Sequence, residues 1–185
     1  MAAAAIYASV ILLALLLVFT SILCIVVIAN IASLLITRVP PISTDRKYLA
    51  KILQQAVITP QSVVYDLGCG SGNFLMAAAK LGPKKCVGYE LSLMPYLAAA
   101  LRSIFGPGNA RVHFRDFFKA DISDADIVYI YLVPPLLERV ARKLKAEMKP
   151  GAVALSKGVP LPGLEFSSKI ILDAERSYPL YSYKF

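Results

Sequence analysis

Positions 64–74 read VYDLGCGSGNF, and the residue types and spacing there point to chemistry. Three glycines alternate, Gly68, Gly70 and Gly72, directly after an apolar run. Without side chains the backbone can turn tightly and approach a ligand closely. A dinucleotide-binding loop follows G-x-G-x-x-G, whereas Asn73 holds the last position here. Asp66 stands two residues before the first glycine, where its charge would repel a pyrophosphate and attract a cationic group. Glu90 ends the next apolar run, and an acid at that place in a doubly wound fold can accept hydrogen bonds from both hydroxyls of a ribose. Asp116 closes a third run with Phe117 beside it: an acid for an adenine amino group and a ring to pack on the base. A cationic end, a ribose and an adenine together describe S-adenosyl-L-methionine.

The elements that must position these residues alternate between strand and helix. Residues 62–67, 86–91, 111–115, 126–132 and 152–156 read as strands, and 126–132 is apolar on both faces, as a strand inside a parallel sheet must be. Helical patterns occupy 73–81, 94–105 and 136–148, punctuated by Gly82-Pro83, Gly106-Pro107-Gly108 and Pro150-Gly151. Residues 169–174 and 178–184 read as two antiparallel closing strands. The fold class is α/β, a doubly wound, mostly parallel sheet with right-handed crossovers. Ahead of it, Tyr48, Leu49, Ile52, Leu53 and Ala56 share a helical face, Ser43 or Thr44 offers an N-cap, and Pro60 ends the segment.

The first 37 residues differ from all of this. Residues 2–37 carry no Asp, Glu, Lys or Arg, whereas a bilayer-spanning helix needs about 20 apolar residues. A cleavable signal has a basic start and a shorter apolar core, so the segment reads as a retained anchor, centred between Ile6 and Ile36, with Asn30 near an interface or a partner, and closed by Pro40 and Pro41. The basic flank of Arg38, Arg46, Lys47 and Lys51 puts the following domain on the cytoplasmic face. The organisation is thus 1–37 transmembrane anchor, 38–60 juxtamembrane amphipathic helix and linker, and 61–185 catalytic domain. Cys24, Cys69 and Cys86 make no disulfide framework. The net charge of +8 suits anionic lipid, and without a basic stripe interleaved with aromatics nucleic acid is disfavoured.

The glycine loop, Glu90 and Asp116 resemble the class I S-adenosylmethionine-dependent methyltransferases. A closer likeness lies in the lead-in VPPISTDRKYLAKIL (39–53), in GYEL (88–91), in RDFFK (115–119), in Val133-Pro134 and in the tail VPLPG (159–163). In that order these resemble a small family of membrane-anchored protein-lysine methyltransferases, which includes the mitochondrial enzymes acting on the ATP synthase c subunit and the adenine nucleotide translocase. An acid common in that family is absent at Ser71, and Val133 stands where methyltransferases of adenine or glutamine amides often carry Asn or Asp. The resemblance implies an enzyme that methylates a lysine of a membrane or membrane-bound protein, bound to lipid through its N-terminal helix. A lipid or quinone-like acceptor, and a scaffold without turnover, are the alternatives. The donor would be held by Asp66, Gly68, Gly70, Gly72, Glu90, Asp116 and Phe117, and Tyr131 and Glu138 are the residues to test as a base. Asp121, Asp124 and Asp126 read as a solvated turn, His113 as a packed strand residue, and no metal is expected.

Overall fold

A computed structural model of the chain describes residues 2–37, 43–173, 175 and 178–185. Arg38, Pro40, Pro41 and Ala174, together with the Asn30 side chain, lie outside the described residues. The chain divides into two compact units, Met1–Arg38 and Val39–Phe185. The first is the helix α1 (Ala2–Thr37), whose window Ser9–Ile28 has a mean hydropathy of 3.3 and is long and apolar enough to cross a membrane. Ile6, Leu12, Phe19 and Ile25 are all exposed along it, as suits a helix that is apolar all round.

The second unit is a seven-stranded sheet with helices on both faces. Its elements are α2 (Arg46–Ala56), β1 (Val63–Leu67), α3 (Asn73–Ala79), β2 (Lys85–Glu90), α4 (Leu93–Ile104), β3 (Ala110–Phe114), β4 (Ile127–Ile130), α5 (Pro134–Glu147), β5 (Val153–Lys157), β6 (Ser168–Asp173) and β7 (Tyr178–Lys184). The strand order is β3-β2-β1-β4-β5-β7-β6, parallel from β3 to β5, with β7 antiparallel to both β5 and β6. β1 is buried at every position, because helices cover both of its faces. One core layer gathers Tyr65, Tyr89, Ile122 and the α5 residues Leu137, Val140 and Leu144. The other gathers Tyr48 and Ile52 of α2, Phe74 and Leu75 of α3, and Tyr129.

Two expectations change here. The segment expected as a separate juxtamembrane helix belongs to the second unit: α2 buries Tyr48, Ile52 and Ala56, Lys47 pairs with Asp173 at 3.1 Å, and Lys51 donates to the Leu172 carbonyl at 3.1 Å. Its N-cap is Asp45, without a side-chain cap bond, because the Ser43 and Thr44 hydroxyls are used elsewhere. The 3-10 turn Phe117–Lys119, which no apolar period announces, follows β3 and is capped by Asp116 accepting from the Phe118 amide at 2.9 Å.

Candidate active site

β1 leads to β2 on one side and pairs with β4 on the other, and a sheet of this kind binds ligands at the carboxyl ends of such strands. In register across these ends stand Gly88, Asp66 and Tyr129. Asp66 is 3% exposed. Burial, with the charge of Glu90 added, pushes its carboxyl up to about 8. Among the described residues no Lys or Arg pairs with it.

The loop after β1 is held by backbone. Gly68 and Cys69 amides donate to the Tyr89 carbonyl at 3.0 and 2.9 Å, and the Gly70 amide donates to Glu90 Oε2 at 2.8 Å. Glu90 Oε1 accepts from Leu91 and Ser92 amides at 2.9 and 2.6 Å. Gly68 and Gly72 have φ of +76° and +79°; a Cβ on the first would lie 2.7 Å from Leu132, and one on the second 3.3 Å from Ala99. Gly88 is constrained from the opposite side: a Cβ there would meet Cys69 Sγ at 2.7 Å and Leu75 at 2.8 Å. Cys69 is buried, and its thiol is pushed well up by desolvation, which makes it inert packing.

A narrow cleft opens over Asp66, lined by Thr44, Gly68, Asn73, Phe74, Tyr129 and Tyr131. The lead-in to α2 forms part of its wall. Asn73 Nδ2 donates to Ser43 Oγ at 2.8 Å and to the Thr44 carbonyl at 2.9 Å, and Arg102 of α4 donates to the Ser71 carbonyl and to Asn73 Oδ1 at 2.6 and 2.8 Å. Asn73, the departure from the dinucleotide pattern, therefore ties lead-in, loop and α4 together. The Thr44 hydroxyl bonds the Tyr129 hydroxyl at 2.8 Å, and the Tyr129 ring stacks on Phe74 at 4.0 Å.

Beyond Tyr131 lies a group that sequence reasoning missed. Lys157, at the end of β5, is 2% exposed and rests its ammonium 3.9 Å from the Tyr131 ring, 5.2 Å from Tyr48 and 5.3 Å from Tyr178. Desolvation lowers its pKa. The signal was a lysine inside a buried strand pattern with tyrosines distant in sequence, and only the folded chain brings them together.

The remaining residues separate. Tyr131 lines the cleft, but burial, then Tyr178, push its hydroxyl up to about 12, so it carries its proton at neutral pH and is no ready base. Glu138 is on the exposed side of α5, 2.7 Å from Arg142, and is not among the residues that line the cleft. Asp116 is half-buried at the end of β3, and Phe117 is buried in the core layer of Tyr65 and Tyr89, its ring 4.3 Å from Phe118. Asp124 pairs with Lys85 at 2.9 Å and Asp126 with Lys149 at 2.6 Å, and Asp121 accepts from the Ser123 amide. Among the described residues no cluster could hold a metal ion. His113 is exposed on β3, its ring 5.6 Å from Tyr89, because β3 is an edge strand.

Comparison with known proteins places this cleft in context. Residues 66–168 match a family described as the ANTKMT methyltransferase domain. A protein-lysine N-methyltransferase of Saccharolobus islandicus is 31% identical over 153 residues, covering 80% of this chain and 94% of that one. The adenine nucleotide translocase lysine N-methyltransferase of Mus musculus is 32% identical over 129 residues, and the match spans 68% of this chain but only 55% of the mouse protein. Among solved structures, an RNA methyltransferase from Salinibacter ruber in complex with S-adenosyl-L-homocysteine superposes with a TM-score of 0.70 at 24% identity, over 77% of this chain and 93% of that one, which is likeness of fold.

Proposed function

The chain belongs to the ANTKMT methyltransferase domain family and is an S-adenosylmethionine-dependent methyltransferase, and from that premise we propose that its acceptor is a lysine side chain of a membrane or membrane-bound protein. What supports this reading most is the Saccharolobus protein, named a protein-lysine N-methyltransferase, which this chain matches over nearly its whole length.

The residues at and beside the cleft suit the chemical groups of the donor. Asp66 is a buried acid with no cationic partner among the described residues, and the loop above it is shaped by positive-φ glycines at which side chains would intrude. In this reading Asp66 holds the cationic amino-acid end, the backbone of Gly68, Gly70 and Gly72 lies along it, Glu90 takes the ribose hydroxyls and Asp116 the adenine amino group. Each Glu90 oxygen already accepts backbone amides, and carboxylate oxygens have further lone pairs for hydroxyls. Phe117, next to Asp116 in sequence, is buried in the core layer of Tyr65 and Tyr89. When bound, the donor supplies an electrophilic methyl group on a sulfonium.

The chain's task is then to present a neutral amine in line with that methyl. A free lysine has a pKa of about 10.4 and must lose its proton before it attacks. Tyr129 and Tyr131 give the cleft an apolar wall with hydroxyls that keep their protons, and Lys157 sets a fixed cation against the Tyr131 ring. A second ammonium beside that cation is disfavoured, so the acceptor sheds its proton to water before entering.

In the same proposal α1 is a membrane anchor, and the basic flank of Arg38, Arg46, Lys47 and Lys51 sets the domain on the cytoplasmic face, where the donor is. The test is to incubate membranes from a strain lacking the enzyme with the purified full chain and donor labelled in its methyl group. Label recovered as methyl-lysine in membrane protein is the expected result; label confined to lipid would overturn the acceptor assignment and leave the methyltransferase class intact.

A further inference from the structure

α4 leaves most of its large aliphatic side chains exposed. A surface helix ordinarily faces its apolar stripe to the core. In α4 only Ala99 is buried, and the half-buried positions are Leu93, Pro95, Tyr96, Ala100, Arg102, which donates to Ser71 and Asn73, and Ser103, which donates to the Ala100 carbonyl. Met94, Leu97, Leu101 and Ile104 face outward in one stripe that runs into Phe105, Ile104 being 73% and Phe105 83% exposed. Phe114 of β3, exposed and 5.1 Å from the Tyr96 ring, extends the patch. Among the described residues outside α1, the other large exposed apolar side chains are Val57, Leu81, Leu91, Phe166 and Ile171, none of which forms a stripe.

The rim of this face is basic. Residues 91–115 contain no Asp or Glu, and besides Arg102, which is turned to the glycine loop, they carry the exposed Arg111, His113 and Arg115. Asn109, just beyond α4, donates to the Pro83 carbonyl at 2.7 Å, which brings the exposed Lys84 to the helix's carboxyl-terminal end. An apolar stripe with a cationic rim and a phenylalanine at its end is the pattern of a helix that lies in the headgroup region of a bilayer with anionic lipid. Residues 38–45 separate α1 from α2 in sequence, so the second unit is tethered by a short segment to whatever holds α1.

We propose that the outward face of α4 is a second membrane contact, seated in the interface of a bilayer containing anionic lipid. The inference rests on the anchor reading of α1 and is independent of the acceptor. The chain has no tryptophan, so one can be introduced as a sole reporter. Phe105→Trp, Phe19→Trp in α1 and Phe166→Trp on the stretch before β6 are made in the full chain. Each is reconstituted in vesicles of phosphatidylcholine and phosphatidylglycerol, with or without bromine on the acyl chains. At Phe105 and Phe19 the brominated lipid roughly halves the emission, since an interfacial helix sinks about 5–10 Å into the boundary, while Phe166→Trp is unaffected. Phe19→Trp quenched with Phe105→Trp unquenched would overturn the proposal and keep the anchor. An unquenched but blue-shifted Phe105→Trp would also overturn it, by showing that a second copy or another protein surface covers the face. Neither reporter quenched would remove the anchor and the α4 contact together.

Discussion

On the β1–β2 side of the cleft, from Asp66 to Glu90, nearly every contact is made by backbone or by a carboxylate holding backbone: Gly68 and Cys69 on the Tyr89 carbonyl, Gly70, Leu91 and Ser92 on Glu90. On the β4–β5 side the wall is side chain on side chain, delivered by distant segments: Thr44 on Tyr129, and Tyr48 and Tyr178 around Lys157. The first side leaves few residue types possible, because a Cβ at Gly68 or Gly88 would collide with neighbours. The second tolerates exchange, provided a hydroxyl meets a hydroxyl or a ring meets a cation. A donor common to many enzymes suits the rigid side, and an acceptor particular to one suits the adaptable side.

The largest expected effect divides the two sides. In the proposed donor site Glu90→Ala removes the acceptor of two ribose hydroxyls, charge-assisted bonds of roughly 1.5–3 kcal/mol each, and should weaken donor binding by about a hundredfold or more in calorimetry. The KM for acceptor at saturating donor should stay put. If both constants move together, the sides are one coupled unit and the contrast drawn above fails.

Asp66 gives the next effect, about tenfold. Its folded carboxyl titrates near 8 against an ordinary 3.8, so ionising it costs stability, and that cost grows as pH rises from about 4 to about 8. A cationic ligand favours the carboxylate, so donor binding expels a proton across this window. Donor affinity should therefore rise by about tenfold from pH 6 to pH 7, the slope of one linked proton. Asp66→Asn should flatten that slope and melt higher than the parent at pH 8 without donor. A parent affinity that does not change with pH would take Asp66 out of the donor's reach.

This contrast also explains what the sequence disclosed. The strand-helix alternation was legible because buried parallel strands are largely apolar runs, as β4 is throughout and β1 is apart from Asp66. The glycine loop was legible because absent side chains leave a spacing that survives in one dimension. The cage around Lys157 was not, since Tyr48, Tyr131 and Tyr178 share no period. Nor was the failure of Ser43 and Thr44 to cap α2, which follows from the long-range partners Asn73 and Tyr129. The surroundings of Glu138 were not legible either, since only the folded α5 shows that side chain exposed beside Arg142.

On the adaptable side, Lys157→Met keeps the side chain's length and removes its charge. If the cation holds the acceptor amine neutral, kcat/KM should fall roughly threefold at neutral pH and its alkaline rise should move to higher pH. Lys157→Arg should restore the profile. The Met variant should also melt higher than the parent, since the ammonium is buried among rings and the Asp45 charge offsets only part of its desolvation. Slower turnover with an unmoved pH profile would make Lys157 a packing residue.

The smallest effect tests where the lead-in belongs. Thr44 is buried, and its hydroxyl meets Tyr129 at 2.8 Å, so Thr44→Val leaves the Tyr129 hydroxyl without that partner at little change of shape. The expected cost is about 1 kcal/mol, a fall in Tm of about 2–4 °C for a chain of this size. Removing both hydroxyls, with Tyr129→Phe added, should recover part of the loss, because two apolar groups facing each other leave nothing unsatisfied. The resulting interaction energy isolates the pair from the fold around it. Donor affinity should be nearly unchanged in both variants, since the glycine loop and Glu90 keep every bond that holds them. A tenfold loss of donor binding in Thr44→Val would mean that the segment before α2 closes over the donor and belongs to the rigid side of the cleft.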